Sequence, residues 1–365
     1  MTDQPMIGLA LSGGGFRAAA FHLGCLRALH DRDLLRRVQV VSGVSGGALL
    51  AALWAYGPAD FDQFDATVVR LLQHGLHGEM LRRVVRPSTV GRNLHAIAAA
   101  TASLLPGVPK PTVVRRANRT DALADTLREM VFGDVPMTEV THPNLHVVLN
   151  ATDLHTTNAV RFGNVRSSCS RYGTIMEPIP VALAVAASAA YPLLLPAIER
   201  HYTFERHSER QRQTVLLTDG GVYDNLGLSV LDPNRSPAYS EHVERVPYIV
   251  CCDAGRGRPA ARSPHFLFPR ATRTFEVMHR RSQDGGRARL HEWAATEQIQ
   301  GFVMAYLGMA DNKLPVPVAD LIPRQAVAEY GTNFSAMSTT DFDNIAGRGE
   351  QLIRVLLPHY CPELW

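Results

Sequence analysis

The chain has 365 residues, 46% of them hydrophobic and 19% charged, with a formal net charge of +3. That is enough apolar material for one large α/β core, and it excludes a disordered, fibrous or strongly polyelectrolyte chain. No basic motif with interleaved aromatics accompanies the small positive balance, so no nucleic-acid partner is expected. The opening MTDQPMIGLALSGGG lacks a basic n-region, an apolar core and a cleavage site, and the expected compartment is therefore the cytoplasm. Cys25, Cys169, Cys251, Cys252 and Cys361 are odd in number and scattered, which suggests small core residues and neither a disulfide framework nor a zinc site.

Taken in chain order, residues 7–11 read as an apolar strand, followed by a glycine loop and a helix on which Ala19, Leu23, Leu26 and Leu29 recur at helical spacing. After a polar break at 31–37, residues 38–41 form a second short strand, then the string SGVSGG and a nearly all-apolar helix over 48–56, ended by Gly57-Pro58. Two strand-loop-helix units in succession predict a parallel sheet with helices against it. Residues 61–132 are mainly helical, with runs near 64–73, 94–105 and 122–132, and predict an inserted helical cap. Within 80–121 stand eight basic side chains (Arg82, Arg83, Arg86, Arg92, Lys110, Arg115, Arg116 and Arg119) and no carboxylate before Asp121, a local field that favours an anionic surface.

Strands resume at 145–150, 214–218 and 248–252, with the charged tract 199–212 between two of them. The apolar run 181–198 contains Pro192 and Pro196 and is rich in alanine, so it predicts a buried helix and loop and not a membrane span. A basic, loop-rich stretch and a proline-marked segment near 314–323 lead to a closing helix over 340–357, with Phe342, Ile345, Leu352 and Val355 inward. The expected architecture is one domain over 1–365: a three-layer α/β/α arrangement on a mainly parallel central sheet, with the cap at 61–132.

Gly43-Val44-Ser45-Gly46-Gly47 fits G-x-S-x-G, in which small neighbours let the chain turn sharply from strand to helix and leave the serine oxygen exposed. A strand precedes this string and a helix follows it, as the turn requires. The dipole of that helix would favour negative charge at the reacting oxygen. Such a nucleophile needs donors for the developing oxyanion, and Gly13-Gly14-Gly15 places backbone N–H groups at the end of the neighbouring strand. Gly13, Gly15 and Ala18 also satisfy a dinucleotide fingerprint, but Ser42-Gly43 stands where the ribose-binding acid is required, and no phosphate loop ending in Gly-Lys-Ser or Gly-Lys-Thr occurs. No cofactor is expected.

The residues leave the choice of base open. Asp153, Asp219 and Asp253 each follow a predicted strand, and partial burial of any of them would lift its pKa toward neutrality. Asp219 alone is followed by two glycines, Gly220 and Gly221, which admit another backbone close by. Helix capping or loop hydrogen bonding is the commoner role for such aspartates. An α/β-hydrolase triad with His242 or His359 as base is an alternative, although only two strands precede Ser45 and that fold normally has several. A non-enzymatic membrane or regulatory protein retaining the fold is another.

Together these elements resemble the patatin-like phospholipases. The family's G-G-G-x-R corresponds to Gly13-Gly14-Gly15-Phe16-Arg17, its G-x-S-x-G elbow to 43–47 with Gly43 and Gly47 at its ends, and its D-G-[GA] to Asp219-Gly220-Gly221. The small-residue helix before prolines is similar to Ala186-Ala187-Ser188-Ala189-Ala190-Tyr191-Pro192, and Val222-Tyr223-Asp224-Asn225 continues the third element. The resemblance spans about residues 6–227. It implies a Ser45–Asp219 dyad and no cofactor. Gly14 and Gly15, in the loop with Gly13, would be the oxyanion donors, and Arg17 would hold that loop or aid its electrostatics. It further implies hydrolysis of a phospholipid or other acyl-ester lipid and peripheral membrane contact. Members similar to it include effectors held inactive until an activating ligand or protein arrives. The cap, which matches no family pattern, is expected to set acyl length and head group.

Overall fold

The computed structural model of the chain describes residues 6–84, 119–192, 194–257 and 266–365. Two strand-loop-helix units open it: β1 (Ile7–Leu11) leads to α1 (Gly15–His30), and β2 (Val38–Val44) leads to α2 (Gly46–Tyr56). β1 and β2 pair in parallel with Leu11 beside Gly43, so their following loops emerge together. Next come α3 (Phe61–His74) and α4 (His77–Val84), and later α5 (Arg119–Leu127), which runs into a π turn at Arg128–Phe132. α3 begins on Asp60, whose carboxylate accepts the Gln63 N–H at 3.0 Å. Phe64, Val68 and Leu72 of α3 belong to the main core, so this end of the expected cap lies on the body of the protein. The expected helical run at 94–105 falls outside the described residues.

The remaining strands are β3 (His146–Asp153), β4 (Asn158–Gly163), β5 (Ser168–Cys169) and β6 (Gly173–Ile175), then β7 (Ile198–Arg206), β8 (Glu209–Asp219), β9 (Tyr248–Asp253) and β10 (Gly301–Tyr306). Helices α6 (Val181–Ser188), α7 (Leu267–Ala295) and α8 (Thr339–Tyr360) complete the frame. Among the described residues the ten strands form one mixed sheet in the order β10-β9-β1-β2-β3-β4-β5-β6-β7-β8, and β8 pairs again with β3. From β10 to β3 the neighbours are parallel, whereas β3 to β8 is an antiparallel meander that curls back on itself.

The period-two alternation of the parallel strands builds the layers. Leu9, Leu11, Val41, Val250 and Cys252 face the large core shared with α1, α2 and α8. Ala10, Val40, Ile249 and Cys251 face the opposite side, against Leu226, Leu228 and the α7 residues Leu290 and Trp293. Each fully buried leucine or phenylalanine contributes about 1.5–3 kcal/mol, so both faces are strongly specified. All five cysteines are buried and free. Among the described residues no helix is long and apolar enough to cross a membrane.

Four local expectations change. The charged tract at 199–212 is most of the β7–β8 hairpin, turning at His207 and Ser208 with φ of 51° and 66°. Its outer end stands in solvent and carries no apolar alternation to announce a strand. The stretch expected to be loop-rich forms the 29-residue helix α7, whose first half is too little buried to show an apolar stripe. On α8, Val355 is only half-buried, and Ile353 and Leu356 take the inward positions. Finally, Arg82 and Arg83 are not free cations: Arg82 pairs with Glu79 at 2.6 Å, and Arg83 reaches Glu129 at 2.7 Å and Glu79 at 3.0 Å. Both carboxylates lie just outside the 80–121 window, and folding brings them in. Arg86, Arg92, Lys110, Arg115 and Arg116 fall outside the described residues.

Candidate active site

The site forms where two strands meet end to end along one edge of β3. Val44, the last residue of β2, pairs with Asn150 in parallel, while Asp219, the last residue of β8, pairs with the next β3 residue, Ala151, in antiparallel. Ser45, one step beyond Val44, therefore arrives at the carboxyl end of β8. Residues 174 positions apart in the chain become neighbours through register alone.

Ser45 sits on the turn with φ 53° and ψ −118°, a conformation that costs a non-glycine residue roughly 1–3 kcal/mol. The surroundings hold it there. Its N–H donates to the Ser188 hydroxyl at 2.9 Å, and that hydroxyl donates to the Asn150 carbonyl at 2.6 Å. A Cβ on Gly46 would stand 2.0 Å from the Gly15 carbonyl oxygen, so only glycine lets the elbow and the glycine loop approach this closely.

Within the loop, Gly14 has φ 148° and Gly15 has φ 60°. The Gly13 N–H donates to the Asn225 carbonyl at 3.1 Å, and the Phe16 N–H donates to the Asn333 carbonyl at 3.0 Å. Among the described residues the N–H groups of Gly14 and Gly15 have no backbone or side-chain acceptor. Of the three glycines expected to supply oxyanion donors, Gly13 thus has its N–H already engaged. Arg17 is buried beneath the loop: Nε donates to the Ala254 carbonyl at 3.0 Å, and one terminal nitrogen donates to the Tyr330 carbonyl at 2.9 Å and the Thr332 hydroxyl at 3.1 Å. Burial, and after it the charge of Arg256, lowers the Arg17 pKa to about 9. Its bonds tie α1 to two distant loops.

Asp219 is 3% exposed. Its Oδ1 accepts the Gly221 N–H at 2.7 Å, while Oδ2 is buried with no partner in full hydrogen-bond geometry among the described residues. Burial raises the carboxyl pKa to about 7, opposed by the Gly221 N–H and by the nearby Ser45 hydroxyl. Backbone bonds from the end of α6 fix this strand end too: Asp219 N–H to the Ala190 carbonyl at 3.0 Å, and Gly220 N–H to the Ser188 carbonyl at 3.2 Å. The same short segment that holds Ser45 therefore holds Asp219. A Cβ on Gly220 would lie 2.2 Å from the Asn150 carbonyl oxygen, which accounts for the glycine after the acid.

The competing acids have other partners. Asp153 accepts the N–H groups of His155, Thr156 and Leu216 and the Thr156 hydroxyl, and so closes a loop. Asp253 is bound by Arg287 through Oδ2 and by the Gly255 N–H through Oδ1. Of the candidate histidines, His242 is buried against Gly163 on β4, its pKa held well below the usual value first by burial and then by Arg161 and Arg235. His359 packs edge-on against Tyr360 near the end of α8. A histidine that does approach the site is His279 of α7, whose pKa is lowered by burial and raised in part by a hydrogen bond to the Gly221 backbone. Beside it Phe275 packs edge-on against Tyr191 with ring centroids 5.7 Å apart, and the Tyr191 pKa is raised to about 12, chiefly by burial and next by Asp219.

A family model described as patatin-like phospholipase matches residues 9–232, a span holding the glycine loop, the elbow and the Asp219 turn. The chain belongs to that family. Among solved structures, human GIVD cytosolic phospholipase A2 aligns with 96% of this patatin-like chain at 13% identity and a TM-score of 0.58, and the match covers 58% of that protein. The same human enzyme in complex with methyl gamma-linolenyl fluorophosphonate gives a TM-score of 0.52 at 13% identity, again over 96% of this chain and 57% of the other. VipD from Legionella pneumophila is a looser likeness, with a TM-score of 0.38 at 14% identity over 96% of this chain and 67% of its own. The chain thus spans less than three fifths of the length of the human phospholipase it matches. The human structures share its fold.

Ser188 and Asn225 stand in the sequence motifs without an assigned role, and Asn333 lies outside them. Ser188 stood inside a helix of small residues, where one hydroxyl among alanines carried no signal of its own. Asn225 and Asn333 act through backbone carbonyls, which any residue type supplies.

Proposed function

We propose that this chain is a serine acyl hydrolase that cleaves fatty-acyl esters of membrane lipids, with Ser45 as nucleophile and Asp219 as its base. The observation that carries this reading is a strained serine turn beside a buried carboxylate that has one oxygen without a donor in full geometry, burial raising its pKa to about 7. A base poised there is half ionised at neutral pH and can both take and return a proton. In the first step Asp219 takes the Ser45 proton as Oγ bonds to the ester carbonyl carbon, and the carbonyl π electrons move onto oxygen. The N–H groups of Gly14 and Gly15, with the dipole of α2, stabilise that oxyanion. Collapse breaks the bond to the alkoxy group, which leaves with the proton from Asp219 and an acyl ester remains on Ser45. Water, deprotonated by Asp219, then releases the fatty acid and restores the serine.

Family membership supports a lipid ester as substrate, and the fluorophosphonate complex of the human neighbour supports a probe of the same chemistry. The class is a carboxylic ester hydrolase of phospholipase A, lysophospholipase or acylglycerol lipase type, working in the cytoplasm or peripherally at a membrane. A fluorophosphonate should label Ser45, as read by intact mass, and lipid mass spectrometry after incubation with a mixed extract should show released fatty acid with wild type and none with Ser45→Ala. Labelling that persists in Ser45→Ala removes Ser45 as the nucleophile.

A further inference from the structure

Helix α7 stands beside the site with two unlike faces. Inward, Phe275 meets Tyr191, His279 approaches Gly221, and further along Leu290 and Trp293 are buried. Outward, Val277 and Met278 are 60% and 67% exposed, and Phe266, just before the helix, is 78% exposed. Arg270, Arg273 and Thr274 share this outer face and form a shallow open groove with Val277 and Met278. Positions 270, 274, 277, 278 and 281 fall within one narrow stripe at about 100° per residue, so Arg281 joins the same face. Over 266–284 there are four arginines against two carboxylates. One of the carboxylates, Glu276, sits 2.8 Å from Arg273.

We propose that this outer face of α7 rests on an anionic lipid bilayer, with Phe266, Val277 and Met278 among the acyl chains and Arg270, Arg273 and Arg281 among the headgroups. Charge complementarity selects the occupant, because exposed apolar side chains interleaved with arginines match a surface that is anionic outside and apolar beneath. Continuity selects it as well: the helix that would touch the bilayer is the one whose other face meets Tyr191 and the Gly221 backbone, next to Asp219. This second argument rests on the acyl-hydrolase reading, whereas the first does not. This face is separate from the basic run that holds Arg82 and Arg83, in which Arg83 is engaged by Glu79 and Glu129.

The test uses the full chain carrying Ser45→Ala, which takes turnover out of the measurement, with vesicles of phosphatidylcholine alone or with about one third phosphatidylserine. The parent should sediment with the anionic vesicles far more than with the neutral ones, and less so as salt rises. Arg270→Ala/Arg273→Ala/Arg281→Ala should weaken that binding at least about tenfold, and Val277→Ser/Met278→Ser about tenfold at every ionic strength. Thr274→Trp, a gain variant on the exposed face, should bind more tightly and shift its added emission to the blue on anionic vesicles. Equal binding of parent and variants, no preference for anionic vesicles, or an unshifted Thr274→Trp emission would each overturn the proposal. So would a serine or alanine variant that changes only the oligomeric state, which would assign the face to a second copy. Absence of fluorophosphonate labelling in wild type, with vesicle binding intact, would instead sink the hydrolase reading and leave this surface standing.

Discussion

The ends of β8 and β9 are nearly the same local structure. Each finishes on a buried aspartate followed by small residues, Asp219-Gly220-Gly221 and Asp253-Ala254-Gly255, and each uses Oδ1 to accept the N–H two residues on, at 2.7 and 2.8 Å. They differ in what meets Oδ2. Asp253 receives Arg287 from the following helix, whereas Asp219 receives no donor in full geometry and faces Ser45. A carboxylate with a buried cation is a structural ion pair, and one without is left as a base. The local motif does not decide between them; a partner brought in by tertiary packing does.

The sharpest way to break this comparison is to neutralise each acid in turn. Asp219→Asn removes the proton acceptor while nearly preserving shape, so acylation should fall by ~10²–10⁴, measured as burst or fluorophosphonate labelling rate. Asp253→Asn should keep most of that rate; the reverse pattern would place the base at the wrong strand end. Stability should respond in the opposite sense. Asp253→Asn removes the charge opposite Arg287, which keeps Asp284 at 3.4 Å and the Tyr306 ring beneath it, and should cost about 1–3 kcal/mol in denaturant unfolding.

Asp219, by contrast, has a folded-state pKa raised above its unfolded value, so the folded state holds the extra proton between about pH 4 and pH 7. Stability from this group is present at low pH and is lost as pH rises through about 7. Asp219→Asn should therefore be more stable than wild type above that pH, by up to about 4 kcal/mol, with the gap closing toward pH 4. The same ionisation should make kcat/KM rise through a single transition near pH 7, provided Asp219 is the base. A melting-temperature series of the two proteins against pH checks the first, and a pH–rate profile the second.

A smaller effect tests the segment that holds both groups. Ser188→Ala leaves the Ser45 N–H without its acceptor, so stability should fall by about 1–3 kcal/mol. Activity should fall about tenfold with the pH midpoint unmoved, because the carboxylate's surroundings persist. The smallest changes are expected from His242→Gln, His279→Gln and His359→Gln, each below about tenfold, since none is asked to move a proton. A folded histidine variant as inactive as Asp219→Asn would revive a triad, and His279 is the one whose position would make it credible.

The parts of the protein legible in sequence are those governed by neighbours in the chain. The strands starting at Ile7 and Val38, the glycine turns after them and the helices that follow appear in the structure because apolar runs and glycine punctuation act locally, over a few residues, although the second strand runs on from Val41 to Val44. Ser45, Gly14 and Gly15 stand in local motifs of the same kind, whereas the residues alone leave Asp153, Asp219 and Asp253 open as bases and the family resemblance is what points to Asp219. β7, the outer half of β8 and α7 were not legible in this way, since their charged, half-solvated surfaces carry no apolar period. Nor could composition show that Glu79 and Glu129 neutralise Arg83, or that Gly13's N–H is engaged by Asn225. The sequence by itself determined which residues are able to attack, accept a proton or turn the backbone, because these are properties of the side chain and its immediate neighbours. Only the tertiary structure decided which of them act together: the edge of β3 brings Val44 and Asp219 onto consecutive rungs, and register between distant strands is set by packing the whole sheet.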